Sequence, residues 1–324
     1  MSATKRVRGP GRKFLAFATV ISLMLVGAMA GNVSLAAADT SLPSPSPLKQ
    51  RDDKLVTADE LPTVQINDGY VWAQTTVGTT VYAVGQFSNV RPAGAAVNTQ
   101  LTPRSNVLAY DITTGNLITS FAPQVNGVVK SVTASPDGKR IYLGGSFSKV
   151  NGQDRWNIAA VDATTGALVS GFVPSVGGSG VYALATIGDT VYAGGLFTQA
   201  NGVARKNLAA FNTSNGALLA WAPTTDLQVD AMVTADANAK VIIGGRFYQV
   251  NAQVQRGLAA LEPGSGAVIT SWQAPSTVKN GWSSGSQAGK TGIFGLSSDA
   301  NGVYGTGWSY AGWSIGNLEG AFAA

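Results

Sequence analysis

Chemistry at a protein site needs groups that titrate, attack or ligate, and this chain of 324 residues offers a narrow choice of them. It contains no cysteine and no histidine. That removes disulfides, thiolate nucleophiles, Ser-His-Asp triads, the usual zinc sites and histidine-ligated haem. The 17 acids are what remains for acid–base work. Glycoside hydrolysis needs two carboxylates about 5–10 Å apart, and no concentrated pair exists, although distant turns at Asp154, Asp226 and Asp230 are candidates to converge. Turns such as Asp162-Ala163-Thr164-Thr165-Gly166 supply at most one carboxylate each, too few for calcium. No catalytic, cofactor-binding or metal-ligating residue is assigned, and no cofactor is expected. The paired glycines Gly144-Gly145, Gly194-Gly195 and Gly244-Gly245 could cradle a phosphate only ahead of a helix, and none follows. They are expected to let neighbouring sheets approach or to permit a bulge.

The elements that must carry these groups follow from an internal repeat. VYAVGQF, IYLGGSF, VYAGGLF and VIIGGRF end at Phe87, Phe147, Phe197 and Phe247, and VYGTGW ends at Trp308. The turn glycines Gly115, Gly166, Gly216 and Gly266 recur every 51, 50 and 50 residues, each ahead of an apolar stretch and an aromatic-x-Pro. Within residues 181–223 four strand patterns are bounded by turn signals: VYALATI, TVYAGGLFT, NLAAFN and ALLAWAP. Glycine and asparagine provide the positive φ of tight hairpins, and Val, Tyr, Phe and Trp favour pleated surfaces. Four antiparallel strands in about 50 residues predict an all-β fold, a β-propeller built of such blades. Helical repeats are a poor alternative, because no unit carries an i, i+3, i+4, i+7 stripe long enough for a helix.

Charge divides the chain. Five bases lie in the first thirteen residues and no acid precedes Asp39, so 17 bases face 17 acids beyond residue 38. A neutral body lacks the broad basic surface of sequence-independent nucleic-acid binding, and no nucleic-acid partner is expected. Residues 1–38 read as a signal peptide, with a basic start, an apolar run from Phe14 to about Ala30 and small residues ending at Ala38. An earlier cleavage site ends at Ala30; a retained leader would be a membrane anchor. Residues 39–62 are a Pro/Ser-rich linker, and residues 63–324 hold the repeats. A secreted, extracellular protein is expected, with no stable membrane span once the leader is cleaved.

The recurring VYxGGxFxxVNGxxRxNLAAxDxxTGAL, followed by an aromatic-x-Pro, resembles the delta-60 or β-propeller repeats of large secreted actinobacterial proteins over roughly residues 63–324. The resemblance implies a propeller and an extracellular location and carries no catalytic residue across. Two departures stand out: Gln255 replaces the Arg104, Arg155 and Arg205 of the other units, and the chain stops at Ala324, before the turn and fourth strand of a fifth unit. Four complete units and a fifth cut within its third strand lead to the expectation of an incomplete propeller. A closed ring of five would need the segment around Thr63 to Asp68 to complete the last blade. The Asp-x-x-Thr-Gly turns also resemble the tryptophan-docking motif of quinoprotein dehydrogenases, but the following aromatic falls in a loose register and Phe121 and Phe172 replace tryptophan. An Asx turn closing a hairpin is the reading adopted. Ser135-Pro136-Asp137-Gly138 departs from the sialidase Asp-box, which continues into Thr and an aromatic.

Insertions locate a binding surface. In a blade, the two-to-three loops and the four-to-one junctions emerge on one rim. The first unit gains nine residues in its two-to-three loop, and the fourth-to-fifth junction gains about eleven, around Trp282. That rim also receives Arg155, Trp156, Arg205, Tyr310 and Trp313. With Trp282 these form the candidate ligand-binding rim, since indole offers apolar area plus one donor. The function expected is a non-catalytic extracellular binding or structural module for a glycan or protein, with a propeller-fold enzyme, a quinone-dependent dehydrogenase or a glycosidase, as the alternative.

Overall fold

The computed structural model describes residues 62–282 and 288–308, and the strand backbone of 320–323. The leader, all but the last residue of the linker, and both Tyr310 and Trp313 lie outside the described residues. The fold is all-β. Its one helix among the described residues is a single turn, Ala274–Thr277, in the fourth-to-fifth junction.

Each repeat folds as its own antiparallel sheet. The inner strands are Gly69–Val77, Val128–Ala134, Val176–Ile187, Val229–Ala235 and Gly292–Ser298. Each pairs with a second strand carrying the Val-Tyr-x-Gly-Gly pattern or its variant, and that strand pairs with a third. The expected fourth strand is not a ladder. It meets its sheet through one bridge per unit: Tyr110↔Leu117, Val161↔Leu168, Phe211↔Leu218 and Leu261↔Val268. The reason is local. Just past the bridge the backbone turns back, with Phe121 N donating to Ile118 O and Phe172 N to Val169 O, and the proline that follows has no N–H to extend a ladder.

Four apolar clusters lie between consecutive sheets, and a fifth, on Ala83, Phe87, Val90 and Leu108, lies within the first unit. One buried cluster joins Tyr82 and Val107 of the first sheet to Ile141 and Val161 of the second. Others join second to third, third to fourth and fourth to fifth. Each sheet thus depends on its neighbours to cover its apolar faces, as stacked repeats do. Buried tyrosines fasten the stack: Tyr82 Oη donates to Ala163 O at 2.8 Å and Tyr192 Oη to Pro263 O at 3.0 Å, each in the next unit's turn. The same tyrosines meet the aromatic of the aromatic-x-Pro edge-on, Tyr82 with Phe121 and Tyr192 with Trp221, centroids 5.0 Å apart in both. Trp221 also donates its indole N–H to Glu262 O at 3.0 Å.

The Asp-x-x-Thr-Gly turns are Asx turns. Asp162 Oδ1 accepts from the Thr164 and Thr165 amides at 3.0 and 2.8 Å, and Asp111 accepts from Thr113 and Thr114 in the same way. These bonds favour the carboxylate, and the Thr113 and Thr114 donors bring the Asp111 pKa down to about 2. At the opposite end of the second and fourth sheets, short two-to-three ribbons meet the preceding junction, through Val125↔Val150 and Thr225↔Val250, so these loops lie on one rim. The segment around Thr63 to Asp68 packs on the first unit: Val64 N donates to Gly115 O and Gln65 pairs with Arg91. It occupies, before that unit, the place that Gln124 and Val125 occupy before the second.

Candidate functional site

Every inner strand has an irregularity at the same register; the third strand has two more, at Gly177/Gly178 and Gly178/Gly180. Val71 pairs with Gly85 and Ala73 with Val84, leaving Trp72 unpaired. Likewise Lys130 bulges between Val129 and Ser131, Tyr182 between Val181 and Ala183, Asp230 between Val229 and Ala231, and Phe294 between Ile293 and Gly295. A bulge adds one residue to one strand and re-aims its side chain.

The paired glycines explain both the bulge and the approach of the next sheet. The second glycine opposes the bulge. A Cβ on Gly145, Gly195 or Gly245 would lie 2.1, 2.2 or 2.3 Å from a backbone oxygen of the inner strand or its leading turn. The first glycine admits the neighbour: a Cβ on Gly194 would meet Val229 Cγ1 at 2.6 Å, and one on Gly244 would meet Ile293 Cγ2 at 2.8 Å. Both roles anticipated for these residues are therefore realised, one by each glycine.

The five bulged residues line one cavity of about 830 Å³ bounded by all five inner strands. This is the size of a small-molecule site. Its chemistry is mixed. Lys130 Nζ stands 4.1 Å from the Tyr182 ring centroid and 5.8 Å from that of Trp72. Trp72 is about half exposed and meets Tyr70 edge-on at 5.2 Å. Arg246, which follows the second glycine of the fourth unit, donates from Nε to Asp230 Oδ2 at 3.2 Å and from Nη1 to Gly289 O at 3.1 Å. Its guanidinium also lies 5.3 Å from the centre of Phe294. Gln228 donates to the other Asp230 oxygen. Burial pushes the Asp230 carboxyl above its ordinary pKa, against the opposing pull of Arg246. Burial pushes the Lys130 ammonium below its own, only partly offset by Asp230.

Residues 135–159 match the family described as "Domain of unknown function (DUF5122) beta-propeller". The chain carries a β-propeller repeat. No curated protein matches it. Among solved structures, the propeller chain is similar to the computationally designed Ika4 protein, with 15% identity and a TM-score of 0.41 over 64% of this chain and 99% of that one. It is also similar to the structure of U3-55K, with 11% identity and a TM-score of 0.43 over 64% of this chain and 55% of that one.

The propeller places the rim residues apart from the cavity. Arg155 is buried, its Nη1 donating to Asp154 O at 2.7 Å, and Arg205 bonds Ala204 O and Leu219 O at 2.9 and 3.1 Å. Both hold a two-to-three ribbon against their own unit. Trp156, next to Arg155 in the chain, is exposed. Trp282 stacks with Arg256, 5.5 Å from guanidinium carbon to ring centroid, and Arg256 also faces Tyr248. None of these four lines the cavity. The three acids considered for convergence do not share a site: Asp154 pairs with Lys149 at 2.7 Å, Asp226 accepts from the Tyr248 and Gln249 amides, and Asp230 alone enters the cavity. Sequence reasoning passed over Trp72, Lys130, Tyr182 and Phe294. The signal was the position after the Val or Ile of the inner strand, where repeats that otherwise agree carry five different side chains.

Proposed function

We propose that this chain is a secreted, non-catalytic propeller module, akin to the delta-60 repeats of secreted actinobacterial proteins, that binds an extracellular glycan or protein. Five blades is the count this reading adopts. One observation carries it: a repeated scaffold presents Trp, Lys, Tyr, Asp and Phe, five unlike groups, from five equivalent bulges into one cavity. Packing alone would be served by the same apolar residue five times, whereas mixed aromatic, cationic and anionic groups in a concave pocket suit a ligand. Asp230 is the only acid among the described residues lining the cavity, and a lone carboxylate favours binding over glycoside hydrolysis. The exposed Trp156 and the Arg256–Trp282 pair extend the surface on the rim.

The test is a glycan array and a pull-down from extracellular material with the purified chain, repeated with Trp72→Ala and Trp282→Ala. Retention of a ligand by the parent, weakened at least fivefold in Trp72→Ala, supports the cavity. A ligand held equally by both variants rejects the cavity and the rim together.

A further inference from the structure

We infer that the cavity receives a carboxylate-bearing sugar unit, a uronate, with the carboxylate on Lys130 and the sugar ring against Trp72. This rests on the binding-module reading above and specifies its ligand. The charge count is the first step. Of the two cations lining the cavity, Arg246 is already engaged by Asp230 and by Gly289 O. The second Asp230 oxygen is taken by Gln228. Lys130 has no carboxylate within ion-pair distance and no hydrogen-bond acceptor among the described residues; its neighbours are the Tyr182 and Trp72 rings. One positive charge is therefore left over, half-buried and aimed into the cavity. It calls for one negative charge on the ligand. A phosphate dianion would ask for a second free cation, which the lining does not offer.

The walls supply the second step. The Lys130 ammonium is a compact charge whose three donors are not consumed by its aromatic neighbours, since the ring quadrupole attracts it without accepting a directional hydrogen bond. A carboxylate can thus dock while both rings stay in place. Trp72, about half exposed beside Tyr70, and Phe294, more than a third exposed beneath Arg246, add aromatic surface to the same cavity. A pyranose has an apolar C–H face to lay on such a plane and hydroxyls at its edge. The side-chain amides of Gln74 and Gln228 also line the cavity, the latter with its nitrogen on Asp230 and its oxygen available, and are of the type that pairs with hydroxyls. An acidic peptide would offer the charge but not the rigid plane.

The experiment is calorimetric titration of the full chain with trimers of galacturonate, glucuronate and mannuronate, each compared with its methyl ester, which keeps the ring and removes the charge. At least one acid trimer is expected to bind at least tenfold more tightly than its ester. Lys130→Met should lose that tenfold toward the acid and leave the ester unchanged, Lys130→Arg should retain most of it, and Trp72→Ala should weaken both forms. Equal binding of acid and ester, or an undiminished acid affinity in Lys130→Met, overturns the uronate assignment. So does binding of neutral glycans alone, which leaves the module reading standing. Binding of no glycan and no protein ends both. If Lys130→Met does not fold, the acid-to-ester ratio of the parent chain decides alone.

Discussion

Replacing Gly195 by alanine tests the link between the glycine pairs and the cavity. The residue has an ordinary φ, so the substitution carries no left-handed strain and its cost is contact alone. The added Cβ would sit 2.2 Å from Gly180 O and 3.0 Å from Val181 Cα. Both are backbone, and neither can rotate away. Restoring an ordinary contact requires the two strands to part by about 1 Å at the point where Tyr182 bulges, and overpacking of this kind costs about 1–3 kcal/mol. For a body of this size that is roughly 2–12 °C of melting temperature. Gly264 is the control, since its Cβ would meet nothing within 4 Å and its φ is not positive; alanine there is expected within about 0.5 kcal/mol of the parent. Gly202→Ala separates the remaining variable, because it has open space but φ +76, and about 1 kcal/mol is expected from backbone handedness alone. The assay is thermal unfolding by circular dichroism, with cavity binding measured on the same samples. A Gly195→Ala protein that melts with Gly264→Ala and binds normally would falsify the claim that the missing side chain creates the bulge.

Four further outcomes follow from single contacts. Tyr82→Phe deletes a buried hydrogen bond to Ala163 O and should cost about 1–2 kcal/mol in urea unfolding; an unchanged midpoint would mean that the bond contributes nothing net. Asn157 sits at φ 64, accepts from Phe147 N at 3.2 Å and donates to Val176 O at 2.8 Å, so Asn157→Ala should cost about 2–4 kcal/mol and Asn157→Gly clearly less, because glycine keeps the backbone. Asp111 should titrate near pH 2 by NMR: its stabilisation is complete above the ordinary 3.8 and lost as pH falls through about 2, and Thr113→Val should move the midpoint up. Asp230 has the opposite sign: its raised pKa favours folding below 3.8, and that contribution is lost as pH rises through the folded value. The melting temperature of Asp230→Asn minus that of the parent should therefore grow with pH above 3.8, and a flat difference would remove the burial argument.

The repeat, the all-β class and the glycine roles were legible because they are written in residues that recur: one spacing, one turn chemistry, one Gly-Gly. The fourth strand was misread because an apolar run looks alike whether it forms a ladder or a single bridge, and what decides is the turn at Phe121 or Phe172 that closes straight after it. The partners of the rim arginines were hidden for a related reason. An Arg in a polar loop suggests exposure, yet Arg155 spends its donors on nearby carbonyls and is buried. The cavity was missed because its residues vary. Asp230 looked like one turn acid among several, and only the bulge after Val229 turns it inward. The fourth unit shows the same limit. Gly257 stands where Asn157 and Asn207 bridge to the next sheet, and Asn280, from the inserted junction, donates instead to Gly292 O at 3.5 Å. A compensation between residues 23 positions apart is invisible to a repeat alignment.

Because each bulged residue is left out of its ladder beside a glycine on the partner strand, its side chain takes no part in the strand pairing of its own sheet. Evolution, or an engineer, can therefore vary those five positions without breaking the ladder hydrogen bonds. Unlike occupants also abolish the equivalence that gene duplication would otherwise impose, so a guest molecule meets a different neighbour at every step around the cavity and has a single way to sit.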